Sequence, residues 1–397
     1  MWSCSREPVF QPLNACSGSE FGLQLQPQQS HATPEGLCQA YNYSLPVFTI
    51  TFLVAFLPLG LFYNLSLVFV NLHHRASMAA LDIYFVSLAL ANLLQLLVAV
   101  GQMLGTELLW HRQGLGEGSE LPSVQTQLPT CLTLFVIFSI SALAGAYSLA
   151  LLSLDASLAA ALPRNPMVSA HNARHLCSFV WGGALLAVFP AFLLFACRAE
   201  PTDSEDGGGG SAYDNANNGD QMLDCQRLQI RRLVDAVDFF AGFLVPLLGV
   251  AVSFMLACRI HRRPLRPERP PGPHNRSLEE DEEEAAEAAT FRLVRLTVVA
   301  HFSLWTLYYV LLLFYLITAH DDKETAEWLS TRPGLHRTLR GLALLMAYSS
   351  SCVTPIIYRC LRINFSSKLD NTLSALHCCP WKRWSGHALE RNRAEVL

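Results

Sequence analysis

Charged side chains are scarce in this sequence. Asp, Glu, Lys and Arg together make up 15% of the 397 residues, whereas hydrophobic residues make up 51%. Soluble proteins carry about 25% charged residues, so this chain is too apolar for a soluble protein of its size. We therefore expect a membrane to be its natural solvent and membrane lipid to be one of its partners.

A basic arm is also missing. The net charge is −4, and the densest patch of charge is an acidic run, so we expect no nucleic-acid partner. Residues 1–40 hold no apolar stretch of the signal-peptide type. The first spanning helix is then expected to act as its own insertion signal, with the N-terminus translocated.

Groups that would indicate catalysis or transport are missing as well. An intramembrane protease needs paired acids or a Ser/His pair in facing helices, and a proton-coupled carrier needs ionisable groups in the middle of its helices. The sequence shows no convincing pair of this kind, no metal-ligand cluster and no internal repeat of the transporter type. We predict that the protein is not an enzyme and has no cofactor.

Long apolar stretches, in contrast, are abundant. A helix that spans a bilayer needs about 20 mostly apolar residues, and the sequence supplies seven such stretches. They lie at 46–72, 81–105, 128–158, 175–197, 233–258, 291–319 and 334–358. The predicted fold is therefore an all-α membrane protein with a seven-transmembrane helix bundle.

The placement of Lys and Arg predicts the orientation of the bundle. Loops rich in Lys and Arg stay in the cytoplasm, and the basic residues are more numerous in the segments that are cytoplasmic when the N-terminus is outside. Under this topology Asn42-Tyr43-Ser44 is an external glycosylation sequon, and we predict a glycan on Asn42. The sequons at Asn64 and Asn275 lie in a helix and in the cytoplasm, so they should stay unused.

The segments outside the helices differ in composition. Residues 202–221 are rich in Gly, Asp, Asn and Ser and predict a flexible external loop. The predicted third cytoplasmic loop, at about 259–290, begins with a Pro- and Arg-rich part typical of disordered chain. Its second part is rich in Glu and Ala, for which a helical extension and a solvated acidic linker remain alternatives.

The sequence after the seventh stretch predicts a short eighth helix. Leu361, Phe365, Leu369 and Leu373 recur at helical spacing, the pattern of an amphipathic helix on the inner leaflet. Cys378 and Cys379 follow it directly and are palmitoylation candidates. The predicted segments are an extracellular N-terminus over 1–45, the bundle over 46–358, the amphipathic helix and palmitoylation site over 359–379, and a cytoplasmic tail over 380–397.

Short motifs follow one another in the predicted helices. They are Gly60-Leu-Phe-Tyr-Asn64, Ser87-Leu-Ala-Leu-Ala-Asn92-Leu, Cys131, Trp181, Pro246, Trp305 and Thr354-Pro355-Ile-Ile-Tyr358. Each is weak alone, since Trp and Pro are common in membrane helices. Together, from about residue 43 to residue 379, they resemble the rhodopsin-like, class A G-protein-coupled receptors.

The resemblance implies a multi-pass plasma-membrane receptor. Its partners would be an extracellular ligand and a cytoplasmic transducer, which is a heterotrimeric G protein, arrestin or both. The long N-terminus and second external loop favour a peptide or a protein as the ligand. The resemblance also implies a disulfide between Cys131 and Cys225, whereas the pairing of Cys4, Cys16 and Cys38 stays open. A non-signalling scaffold or decoy receptor is the alternative function.

The chain departs from the family at several positions. Asn92 stands where the family carries its sodium-binding Asp, and Asn cannot neutralise a cation, so sodium affinity should fall. Asp155 is followed by Ala156 where the family has the Arg of Asp-Arg-Tyr, so ordinary strong G-protein coupling is in doubt. Glu287 stands where family members often place the acid that pairs with that Arg.

Two further departures concern the shapes of the sixth and seventh helices. Thr354 replaces an Asn and should bond its own helix backbone. Leu307 replaces a Pro that would kink the sixth helix, which we therefore expect to be straighter.

Candidate ligand-binding residues stand towards the outer ends of the fifth and sixth helices. Trp305, Tyr308 and Tyr309 would line a pocket, although aromatic residues in membrane helices also serve as packing or interface anchors. Asp238, and Asp235 before it, would either sit at the headgroup level or contact a basic ligand.

Two other positions near these candidates limit the possible roles of this region. His301 is expected to be a core residue, with pH sensing a remote alternative. Phe138 stands where amine receptors carry an acid, so a biogenic amine would lack its charge partner there.

Overall fold

The computed structural model describes residues 45–75, 78–114, 124–161, 169–196, 232–261, 278–318, 333–362 and 365–377. Within these ranges the chain is helical, without strands. The predictions at Cys4, Cys16, Cys38, Asn42, Cys225, Cys378 and Cys379 lie outside the described residues. Cys131 and Glu287 fall within described helices, but their side chains lie outside the described part.

In the described part of the chain, seven helices are long and apolar enough to cross a membrane, so the predicted number of spans is confirmed. The seven spans are α1 at Leu45–His73, α2 at Ala80–Gly114, α3 at Val124–Ala161, α4 at Ala170–Ala196, α5, which begins at Arg232 and ends with the segment Val245–His261, α6 at Leu278–Thr318 and α7 at Pro333–Leu361. A shorter helix, α8, follows them at Phe365–His377.

The sixth helix is longer than its apolar stretch. It begins at Leu278, so the Glu- and Ala-rich segment is helical, which was one of the two alternatives that composition left open. Glu and Ala are both strong helix formers, and the apolar span that follows supplies the fixed turns from which this helix extends.

Helix α3 lies at the centre of the bundle, where it contacts α2, α4, α5 and α6. Helix α7 packs on α6, α1 and α2, and α8 packs on α1. About 72% of the span of α2 is buried, against 17% of the span of α4. The uncovered faces carry large apolar side chains such as Phe179 and Leu186, as expected for surfaces that face lipid.

Two helices contain a wide turn, and one of these turns shapes the site described below. A π-helical segment at Phe52–Phe56 interrupts α1, and a second one at Phe240–Leu244 precedes Pro246 in α5. Such segments are rare and often occur at functional sites. The second segment contains Gly242, where an added Cβ would lie 2.6 Å from the Tyr309 hydroxyl oxygen. Glycine therefore leaves room against α5 for the Tyr309 hydroxyl of α6.

Candidate functional site

Trp305 is the centre of a buried aromatic cluster between α3, α6 and α7. Its side chain is 2% exposed, and its ring centroid lies 5.8 Å from that of Phe138, 5.6 Å from that of Tyr308 and 5.7 Å from that of Tyr309. The indole Nε1 donates a hydrogen bond of 2.9 Å to the Ser350 hydroxyl on α7. The tryptophan is thus tied to α7 by its polar atom and to α3 by its ring.

A carboxylate reaches this cluster from α5. The Tyr308 hydroxyl donates to Asp238 Oδ2 at 3.3 Å, so Asp238 faces the bundle at this point. The structure therefore brings together all four residues that the sequence proposed for a ligand pocket, which are Asp238, Trp305, Tyr308 and Tyr309. Tyr308 and Tyr309 are buried, and Tyr309 also stacks on Phe243 at 4.6 Å.

A further buried tyrosine, Tyr348, was missed by sequence reasoning. The Tyr348 hydroxyl on α7 donates to Gln102 Oε1 on α2 at 2.6 Å, and its ring meets Phe138 edge-on at 6.1 Å. A polar aromatic residue on the helical face of Ser351 and Pro355 was a signal that Tyr348 points inward. Sequence gave no means of finding Gln102 as its partner.

His301 lies below Trp305 in the core. It is buried, and its ring centroid is 5.8 Å from that of Trp305. Its Nδ1 has no hydrogen-bond partner among the described residues. The side chain is therefore held by packing, in the position where the sequence analysis expected a core residue.

A cluster of amides and hydroxyls joins α1, α2 and α7 below the aromatic residues. Asn64 Nδ2 donates to the backbone oxygens of Gly60 and Ser351, each at 2.8 Å. Asn92 Nδ2 donates to Asn64 Oδ1 at 3.2 Å, and the Ser351 hydroxyl donates to Gln95 Oε1 at 2.5 Å. In a membrane such groups must be satisfied within the protein, so this cluster fixes the mutual positions of the three helices.

The residues of the α7 motif lie along the buried side of that helix. Thr354 Oγ1 donates to the Ser350 backbone oxygen at 2.9 Å, so Thr354 bonds its own helix as expected. Pro355 is buried, and the Tyr358 hydroxyl donates to Asp82 Oδ1 at 3.0 Å. On the other side of α2, Trp181 Nε1 donates to the Ser87 hydroxyl at 3.0 Å.

Comparison with known proteins assigns the family. The model of the 7 transmembrane receptor (rhodopsin family) matches residues 63–358. The chain belongs to this receptor family. It is therefore a multi-pass membrane receptor. Its family is not enzymatic, and the members of this family respond to extracellular ligands and signal through G proteins.

Two similar receptors share one name. G-protein coupled receptor 146 of Xenopus laevis is 32% identical over 345 residues, which cover 86% of this chain and 90% of the relative. G-protein coupled receptor 146 of Mus musculus is 30% identical over 381 residues, or 95% of this chain and 94% of the relative. G-protein coupled estrogen receptor 1 of Micropogonias undulatus is 24% identical over 316 residues, or 79% of this chain and 75% of the relative.

Short stretches of this receptor also resemble G-protein coupled receptor 146. They include the Met-Trp-Ser-Cys start, the segment from Ser153 to Pro163, and the segment from Arg174 to Leu186. The two relatives of that name bear out this resemblance over most of the chain.

The sodium ion that the family implies does not fit the donors around Asn92. The site would need a carboxylate to neutralise the cation, and Asn92 instead donates its own amide hydrogen to Asn64. Among the described residues, the groups bonded to Asn64 and Asn92 are backbone carbonyls and each other's side-chain amides, all without charge. Gln95 Nε2 is also buried, and it has no hydrogen-bond partner among the described residues. This nitrogen is a hydrogen-bond donor, and a donor repels a cation.

Ala156 lies at the end of α3 where the family has an arginine. Its side chain is partly buried and packs against the core of the bundle. Asp155, the preceding residue, is also partly buried. A small apolar side chain therefore occupies the place of a cation at this end of the receptor.

Proposed function

We propose that this receptor converts the binding of an unknown extracellular ligand into a cytoplasmic response, with weak or atypical G-protein coupling. The observation that carries the proposal is a continuous set of buried contacts through the bundle. It runs from Asp238 to Tyr308 and Trp305, and from Trp305 through Ser350 into α7. Through these contacts a bound ligand would shift the equilibrium between two arrangements of the helices. The size of this shift is set by the difference between the ligand's affinities for the two arrangements.

The pocket chemistry narrows the class of ligand. A carboxylate beside aromatic rings favours a ligand with a basic group, and Asp238 is such a carboxylate. Phe138 offers no acid on α3, so a biogenic amine is disfavoured. We therefore propose a peptide or protein ligand that presents a basic side chain to Asp238.

The end of α3 that would contact the transducer supports the proposal of weak G-protein coupling. Ala156 removes the cation that the family inserts under a G protein, so part of that interface is lost. Both a G protein and arrestin remain candidates for the cytoplasmic partner. The same departure favours the alternative function of a non-signalling scaffold or decoy receptor.

A cell assay tests the proposal and separates it from the alternative. Second messengers are measured with and without serum in cells that express the receptor and in empty-vector cells. We expect a small change that depends on the receptor and on serum. Asp238→Asn should weaken the serum response, whereas Asp238→Glu, which keeps the negative charge, should retain most of it. Receptor-expressing cells that equal the empty-vector cells under both conditions would favour the scaffold.

We also propose that the N-terminus is extracellular, with a glycan on Asn42, and that the C-terminus is cytoplasmic and palmitoylated on Cys378 and Cys379. A glycosidase should increase the gel mobility of the natural receptor and leave Asn42→Gln unchanged. A C-terminal tag should stain only in permeabilised cells. Staining of the tag in intact cells would invert the topology.

A further inference from the structure

A buried ion pair lies beside Tyr358, at the end of the bundle that we expect to be cytoplasmic. The Asp82 side chain is 1% exposed, and its Oδ1 is 3.0 Å from Arg362 Nη2. The same nitrogen donates to Asp82 Oδ2 at 3.2 Å. Asp82 lies in the first turn of α2, whereas Arg362 directly follows the end of α7. The pair therefore joins two parts of the chain that are 280 residues apart.

Tyr358 is bonded to this pair and enclosed by rings. Its hydroxyl donates to Asp82 Oδ1 at 3.0 Å, while Asn71 Nδ2 on α1 lies 3.4 Å from the same hydroxyl. The tyrosine ring packs on Phe85 at 4.6 Å and meets Phe365 of α8 edge-on at 5.2 Å. The side chain is thus held against α1, α2 and α8.

The two charges of the pair differ in accessibility. Arg362 is 24% exposed and lines a cavity of about 270 Å³ together with Ala289, Leu293 and Lys368. Asp82 is enclosed, and an isolated buried carboxylate is strongly unfavourable. Among the described residues, Arg362 is the cation bonded to it, so loss of Arg362 would leave the carboxylate with neutral donors alone.

We propose that Asp82 and Arg362 are positioning residues that hold Tyr358 in its present place in the resting receptor. Any arrangement in which the Tyr358 side chain leaves this position must break its bond to Asp82. Arg362 makes that arrangement less favourable because it fixes the carboxylate in the orientation that accepts the tyrosine hydrogen. In a receptor whose α3 carries Ala156 in place of an arginine, this pair supplies a restraint between helices. Its role in signalling rests on the proposed function, whereas its effect on Tyr358 does not.

Fluorine NMR on the purified full-length receptor tests the position of Tyr358 directly. Tyr358 is replaced by 3-fluorotyrosine in the natural chain and in Arg362→Gln. Because a minor arrangement of a protein is commonly populated at about 0.1 to 10%, we expect one dominant resonance in the natural chain. Arg362→Gln should increase a second resonance at least about fivefold, the lower end of the range for coupled sites.

Three further variants separate positioning from general destabilisation. Arg362→Lys keeps the charge and should restore most of the dominant resonance. Asp82→Asn keeps a hydrogen-bond acceptor for the tyrosine without a buried charge, so this variant should fold even if Arg362→Gln does not. It should also increase the second resonance less than Arg362→Gln does. Arg359→Gln removes a cation that lies over the Tyr63 ring, three residues before Arg362, and should leave the spectrum unchanged.

The outcomes decide the proposal. A spectrum that stays the same in Arg362→Gln and Asp82→Asn, or that changes equally in Arg359→Gln, would overturn it. Basal second-messenger levels at matched surface expression are measured on the same variants, and a rise of several-fold in Arg362→Gln supports the signalling role. If the fluorine signal responds as expected while no variant and no natural receptor signals, the positioning of Tyr358 stands and the proposed function fails.

Discussion

Replacing either Cys131 or Cys225 by Ala is expected to abolish surface expression of this receptor. The family resemblance implies a bridge between these cysteines, which are expected to face the oxidising exterior where disulfides persist. The bridge would close a loop of nearly a hundred residues, worth about 4 to 5 kcal/mol in the chain-entropy model. Since whole domains are stable by about 5 to 15 kcal/mol, the loss would leave little margin for export.

Surface labelling of intact cells measures this effect. Cys360→Ala is a matched control, because Cys360 is an exposed free cysteine on α7 and should tolerate the change. The double variant Cys131→Ala/Cys225→Ala should be no worse than either single variant, since one bridge is removed in all three. Normal surface levels in both single variants would show that these cysteines are not bonded to each other.

Introducing an arginine by Ala156→Arg is expected to increase G-protein activation. In the family pattern this arginine holds the inactive state by pairing with acids and contacts the G protein when released. An exposed ion pair is worth roughly 0 to 1 kcal/mol, whereas a charged contact buried in an interface is worth about 2 to 5 kcal/mol by truncation. The gained contact should therefore outweigh the gained restraint.

The surroundings of Ala156 allow this test. Its side chain is partly buried at the end of α3, next to Asp155, which is available to hold a new cation. G-protein activation is compared in cells matched for surface expression. Ala156→Gln is the control, because it adds a side chain of similar reach without the charge. Vigorous coupling of the natural chain that Ala156→Arg leaves unchanged or reduces would show that other residues engage the transducer.

The spans and their family could be predicted because both depend on local sequence. About 20 apolar residues in succession form a membrane-spanning helix whatever their neighbours are, since the bilayer offers no other partner for backbone groups. The acidic segment at the start of α6 shows the limit of this reasoning. Glu and Ala suit both a helix and a solvated linker, so composition left the choice open, and the structure has the segment within the helix at Leu278–Thr318.

The residues of the ligand-pocket region were predictable in part. Trp305 could be found because its motif position is fixed along α6, and Tyr308 and Tyr309 follow it within one turn. Asp238 was ambiguous, because spacing along α5 cannot tell a headgroup-facing acid from one that faces the bundle. Only the packing of α5 on α6, which brings Asp238 to the Tyr308 hydroxyl, decides the direction of this side chain.

The sequence by itself determined that this chain crosses a membrane seven times and carries an alanine and an asparagine where its family has an arginine and an aspartate. The tertiary structure decided which polar side chains meet, namely Asn64 with Ser351 and Asp82 with Arg362. These partners lie 287 and 280 residues apart. A hydrophobic run can be recognised in the sequence of each helix separately. A buried hydrogen bond between two helices depends on the rotation and the depth of both, and helix packing sets these.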